Sequence, residues 1–169
     1  VTVDENYRRN SAILRVKATD ADAGANGEVV YGFQARTAQA VKDIFSIDSV
    51  TGDIKVIGDL DYEAKSSYTL TVTARDKDET SIPDQAKVVV NIIDVNDNKP
   101  VIQINTLNED GVVEIPENTD LTTFVVHIRV LDADSGDNGK SDCNIVSQVF
   151  ELQEFYTDEY KLLTKAELD

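Results

Sequence analysis

Polar and apolar residues alternate with a period of two along much of the chain, the rhythm of a strand with one buried face. The alternation is cleanest where Tyr68, Leu70, Val72 and Ala74 interleave with Ser67, Thr69, Thr71 and Thr73. From Lys87 to Ile93, Val88, Val90 and Ile92 fall on one face. Ala12, Leu14, Val16 and Ala18 alternate with Ile13, Arg15 and Lys17; Phe124, Val126, Ile128 and Val130 alternate with Val125, His127 and Arg129. Val29–Phe33, Phe45–Ile47 and Ile54–Ile57 add short strands, and Thr51-Gly52-Asp53 marks a turn between the last two. This stretch holds no helical period of useful length. Seven or so short strands in about 100 residues predict a β-sandwich.

The pattern repeats. Asp20-Ala21-Asp22-Ala23-Gly24-Ala25-Asn26-Gly27 returns 112 residues later as Asp132-Ala133-Asp134-Ser135-Gly136-Asp137-Asn138-Gly139, and the same offset carries Glu5-Asn6 onto Glu117-Asn118. The chain is therefore read as a tandem of one module. The first spans residues 1–98 and closes on Asp94-Val95-Asn96-Asp97-Asn98, just before Pro100, which cannot continue a central strand. The second spans residues 99–169. Its Leu168-Asp169 corresponds to Leu60-Asp61 of the first, so it is expected to lack its last strands and the natural chain to continue.

Charge narrows the chemistry. Thirty-two acidic residues against 16 basic ones give a net charge of −16, which argues against nucleic acid or an anionic membrane surface as a partner. A hydrophobic fraction of 41% still supports a real core. The single cysteine, Cys143, excludes an internal disulfide framework and reads as a small buried hydrophobe. There is no Asn-x-Ser/Thr sequon, no glycine-rich phosphate loop and no Ser/His/Asp arrangement, and the lone His127 reads as solvent-facing. Neither an enzyme nor a small-molecule substrate is expected.

The acidic and amide residues gather at loop positions, where packed carboxylates repel one another unless a counter-charge sits among them. An all-oxygen donor set fits calcium better than zinc, which wants His or Cys, or magnesium, which demands strict octahedral geometry. The Asp-x-Asp-x-Gly-x-Asn-Gly run is not an EF-hand. Its twelfth position should be a bidentate Glu, and here it is Tyr31 in one copy and Cys143 in the other, with strands on its flanks.

Glu5, Leu60-Asp61-Tyr62-Glu63, Ala74-Arg75-Asp76, Asp94-Val95-Asn96-Asp97-Asn98 and Asp132-Ala133-Asp134 resemble, in order, the motifs of the cadherin repeat. Asn26-Gly27-Glu28-Val29-Val30-Tyr31 and Asp134-Ser135-Gly136-Asp137-Asn138-Gly139 look most like protocadherins. The resemblance implies tandem seven-stranded Greek-key β-sandwiches, immunoglobulin-like, the second truncated. It also implies up to three calcium ions at the linker between repeats. The first would take Glu5, Asp61, Glu63 and Asp97; the second would share Glu5, Glu63 and Asp97 and add Asp94, the Val95 carbonyl and Asp134. The third would take Asn96, Asp132, Asp134 and the carbonyls of Asn98 and Asn138, and would be incomplete in this chain. Asp20, Asp22, Asn26 and Asp76 match ligands of a preceding linker, and Glu117 and Asp169 those of a following one.

By the same resemblance the chain is an extracellular fragment of a single-pass plasma-membrane receptor, its anchor outside this sequence. Its partner would be another cadherin ectodomain, bound homophilically in calcium, with Thr69, Thr71, Val125 and His127 as outward contact positions. The alternative is a set of non-contacting spacer repeats in a large cadherin with a heterophilic partner.

Overall fold

The computed structural model describes residues 1–21, 27–77, 82–106, 108 and 111–168. The chain divides into two compact units, Val1–Val95 and Asn96–Asp169. Among the described residues, no helix is long and apolar enough to cross a membrane.

The first unit is a sandwich of two sheets. Strands β1 (Thr2–Asp4), β2 (Ser11–Arg15) and β3 (Val29–Phe33) are followed by a one-turn helix, α1 (Gln39–Lys42). Then come β4 (Phe45–Ile47), β5 (Asp53–Val56), β6 (Ser67–Asp76) and β7 (Asp84–Ile93). One sheet has the order β1-β7-β6-β3 and the other β2-β5-β4. All pairs are antiparallel except β1 with β7, a short parallel pair that the alternation did not reveal. The two-residue rhythm of β6 and β7 turns Tyr68, Leu70, Val72, Val90 and Ile92 inward onto Phe45, Ile54, Val56 and Leu60. Phe45 meets Tyr68 edge-on at 5.2 Å between centroids. Each fully buried side chain such as Leu70 is worth about 1.5–3 kcal/mol over its exposed form.

The β4–β5 turn is built by Asp48, whose Oδ1 accepts the N–H groups of Val50 (3.0 Å) and Thr51 (2.8 Å). Gly52 follows at φ 72°, where a Cβ would stand 2.4 Å from the Val16 carbonyl oxygen. Glycine is the residue that closes this turn against β2.

The second unit contains β8 (Val101–Asn105), β9 (Phe124–Leu131), β10 (Phe150–Tyr156) and β11 (Glu159–Thr164) in one sheet, ordered β10-β11-β9-β8. Val125, Val126, Ile128, Val130 and Tyr160 form its core, with Cys143 half-buried against them. Ile102 and Ile104 pair with the buried Val130 and Ile128, yet are 59% and 57% exposed. Among the described residues, no second sheet covers that face of β8.

Two positions correct the simple alternation, and they are the same position of the repeat. In β2, Ala12 pairs with Lys55 and Leu14 with Ile54, leaving Ile13 as an extra residue. In β9, Phe124 pairs with Leu163 and Val126 with Leu162, leaving Val125 as the extra residue. Such a bulge shifts the phase of the alternation. Ile13 and Leu14 therefore both pack on the first core, while Ala12 is exposed. Val125 is 8% exposed and Phe124, expected inward, is 44% exposed. Val125 is consequently not an outward contact position.

His127 is also less open than expected. Its ring lies 3.2 Å from Asn105 Nδ2 and 3.3 Å from Glu159 Oε2, with Phe155 edge-on to it.

Candidate metal centre

At the end of β1, the Glu5 N–H donates to the Ile93 carbonyl (3.0 Å), extending the β1–β7 pairing by one residue. Asn6 then turns at φ 58° and donates to the Leu60 carbonyl (3.2 Å), which brings the Leu60–Glu63 turn alongside. Glu5 is left only 3% exposed. A buried carboxylate is costly unless hydrogen-bonded, and Glu5 is bonded at both oxygens. Oε2 accepts the Tyr62 N–H at 2.7 Å and Oε1 the Val95 N–H at 2.8 Å. One side chain thus ties together three segments of the sequence.

The turn after Leu60 is set by Asp61, whose Oδ1 accepts the Ala64 N–H at 2.8 Å and whose carbonyl accepts the Lys65 N–H at 3.0 Å. It delivers Asp61 and Glu63 to Glu5, and one carboxylate oxygen from each lies within 4.8 Å of the others. At 4.8 Å, two like charges near a protein surface repel by up to about 3 kcal/mol. Among the described residues, no lysine or arginine pairs with Glu5 or Asp61; the ion pairs of this unit join Arg9 to Asp59, Arg15 to Asp53 and Lys77 to Glu28. Burial, with the Asp61 charge adding to it, pushes the Tyr68 hydroxyl pKa up. Asp94 is half-buried where β7 ends.

The donor set fits a hard divalent cation. Every candidate atom is oxygen, and calcium accepts such ligands in flexible geometry. A carboxylate has about four lone-pair sites. The two backbone bonds to Glu5 therefore fix its orientation and leave acceptor capacity for an ion.

The second unit prepares its own set. Asp134 is 7% exposed. It accepts the Asn98 side-chain amide at 2.7 Å on Oδ1 and the Asn98 N–H at 3.3 Å, while its own N–H donates to Asp132 Oδ1 at 3.0 Å. Asn98 Nδ2 also donates to Asp97 Oδ1 (2.9 Å), and Asn96 Nδ2 to the Asn138 carbonyl (3.1 Å). Asn96, Asp97, Asn98, Asp132, Asp134 and Asn138 are thereby held in one hydrogen-bonded group. Gly139 closes it, since a Cβ there would fall 2.2 Å from the Asp134 carbonyl oxygen.

The flanking sets are less complete. Asp20 and Asp76 line one depression beside Arg75 and Asp84. Asp22, Asn26 and Asp169 lie outside the described residues. Glu117, the counterpart of Glu5, is exposed and lines an open polar hollow of about 420 Å³ with Asp120 and Glu167.

The cadherin domain profile matches residues 1–93, more than half of the chain. The chain belongs to the cadherin family. It is 39% identical over 168 residues to human protocadherin-18, a match covering 98% of this chain and 15% of that protein. Protocadherin gamma B2 extracellular cadherin domains 1–5 share 34% identity at a TM-score of 0.89, over 100% of this chain and 31% of that one. Protocadherin gammaB7 EC3–6, solved as a cis-dimer, shares 32% identity at a TM-score of 0.82, over 100% of this chain and 37% of that one. The chain thus spans about 15% of the length of curated relatives such as protocadherin-18.

Sequence reasoning passed over the backbone donors and the glycine. The N–H groups of Tyr62 and Val95 carry no signature, because any residue but proline supplies one. Gly139 did leave a signal: glycine stands at the same place in both copies, at Gly27 and Gly139.

Proposed function

We propose that these are calcium-binding ectodomain repeats of a cell-surface adhesion receptor, and that calcium stiffens the linker joining them. The carrying observation is the cluster of Glu5, Asp61 and Glu63, whose oxygens are held within 4.8 Å by backbone hydrogen bonds without a lysine or arginine on Glu5 or Asp61. Residues 1–98 are read as one repeat with its trailing linker and residues 99–169 as a partial second.

On this reading the first ion draws on Glu5, Asp61, Glu63 and Asp97, and the second adds Asp94, the Val95 carbonyl and Asp134. The third draws on Asn96, Asp132, Asp134, Asn98 and Asn138. Calcium supplies positive charge to carboxylates that otherwise repel. Ligand groups on both sides of the linker would then be bound to the same ions, and binding free energy would become rigidity. Asp20, Asp76 and Glu117, with Asp22, Asn26 and Asp169, would serve equivalent linkers on either side.

We further propose homophilic recognition by an extracellular, membrane-anchored parent protein. The similarity to a protocadherin solved as a cis-dimer supports association between like chains. The test is aggregation of beads coated with the chain, in calcium and in EDTA. Aggregation only in calcium is expected, and aggregation indifferent to EDTA would refute calcium dependence.

A further inference from the structure

The two faces of the first unit differ in chemistry. In the register Thr69↔Val89, Thr71↔Lys87 and Ser67↔Asn91, strands β6 and β7 turn Tyr68, Leu70, Val72, Val90 and Ile92 inward. The opposite rows of these strands carry Thr69, Thr71, Thr73, Val89, Asn91 and Ile93 outward. Val89 is 48% exposed and Ile93 46%. Neither outer row contains an acidic residue, and its charged members, Arg75 and Lys87, are basic. Asp4 of β1 stands at the corner, beside Ile93. The outer side of the other sheet holds the Arg15–Asp53 ion pair and Lys55. The threonine face is also flat at its β3 border, where Gly32 adds no side chain and its carbonyl accepts from Thr73 Oγ1 at 3.2 Å.

We propose that this outer face of the β1-β7-β6-β3 sheet is where a second copy of the chain docks, sheet against sheet. The inference rests on the homophilic reading and deepens it by naming the surface. Two copies that each carry −16 repel over most approaches. A face without acidic residues on its two long strands is where like can meet like. β-branched, half-exposed residues on a pleated surface are suited to packing against another sheet about 10 Å away. The eight-pair β6–β7 ladder gives a face about 25 Å long and, over four strands, about 19 Å wide. A pair of such faces buries roughly 1,000 Å², the lower limit for a specific contact and the range of transient association. Weak pairing of each copy is what multiple receptors on a surface amplify.

The test is sedimentation equilibrium of the chain in calcium, with three variants. Val89→Asn together with Asn91→Thr installs a glycosylation sequon in the middle of the face, and Thr69→Glu and Val89→Glu each place a carboxylate there. All three sites are exposed, so thermal midpoints and calcium titrations should match the parent chain. A parent dimer, weakened at least tenfold by the glycan and by either carboxylate, is expected. A parent dimer unaffected by folded variants would overturn the face while leaving homophilic binding standing. A parent chain that stays monomeric at every concentration would overturn both.

Discussion

Replacing Glu5 by glutamine separates the structural work of this side chain from its work on a cation. In the native chain its two oxygens accept N–H groups from Tyr62 and Val95. Glutamine keeps one acceptor oxygen and turns an NH2 toward the other donor, so one charge-assisted bond worth about 1.5–3 kcal/mol is lost. The same change removes one of three carboxylates that lie within 4.8 Å, relieving repulsion of up to about 3 kcal/mol per pair. In EDTA these effects oppose each other, and the variant should be within about 2 kcal/mol of the parent. In calcium they no longer cancel. A parent chain in calcium at 100 times its dissociation constant gains about 2.7 kcal/mol, and the variant should gain less than about 1. Urea unfolding followed by circular dichroism, with and without calcium, reads all four corners of this cycle. Equal calcium stabilisation in both proteins would refute the assignment of Glu5 as a ligand.

Gly139→Ala forces a methyl group into the Asp134 carbonyl 2.2 Å away, and should weaken calcium binding while leaving the first unit's amide-exchange pattern intact. Unchanged calcium affinity would show that the second unit's group takes no part. Val125→Ala should cost about 2 kcal/mol, and Phe124→Ala under about 1, in thermal unfolding. The reverse order would remove the bulge in β9 from the account. The N–H groups of Thr51, then Val50, hold the Asp48 carboxyl below the usual carboxylate range. Its stabilisation is therefore present above the unfolded value near 3.9 and lost as pH falls through the lower folded value. Asp48→Asn should destabilise the chain at pH 7 but not in strong acid. A pH-independent difference would contradict that linkage.

Much of the sandwich was legible because its strands are half-buried, and burial writes itself as alternation. β6 and β7 are long and regular, so their inward rows were read correctly over most of their length. β1, with three residues, is too short to show a period, and its pairing partner is distant in sequence. The bulges at Ile13 and Val125 broke the phase, since a bulge is a property of pairing and leaves no mark in one strand alone. Aligning the two copies would have raised the question: both place two adjacent apolar residues there, Ile13-Leu14 and Val125-Val126. The candidate site was legible as a set of residue types at repeated spacing. The structure added the reason Glu5 can be buried, which lies in two backbone N–H groups no motif encodes.

The most direct test of the account is a calorimetric calcium titration of the chain beside a variant carrying Glu5→Gln, Asp61→Asn and Glu63→Gln. Saturable binding by the parent, with a dissociation constant at or below about 1 mM as in extracellular modules, and its loss in a folded variant, is the predicted result. Failure of the parent to bind calcium, or equal binding by the triple variant, would contradict the claim that this carboxylate cluster is a metal centre.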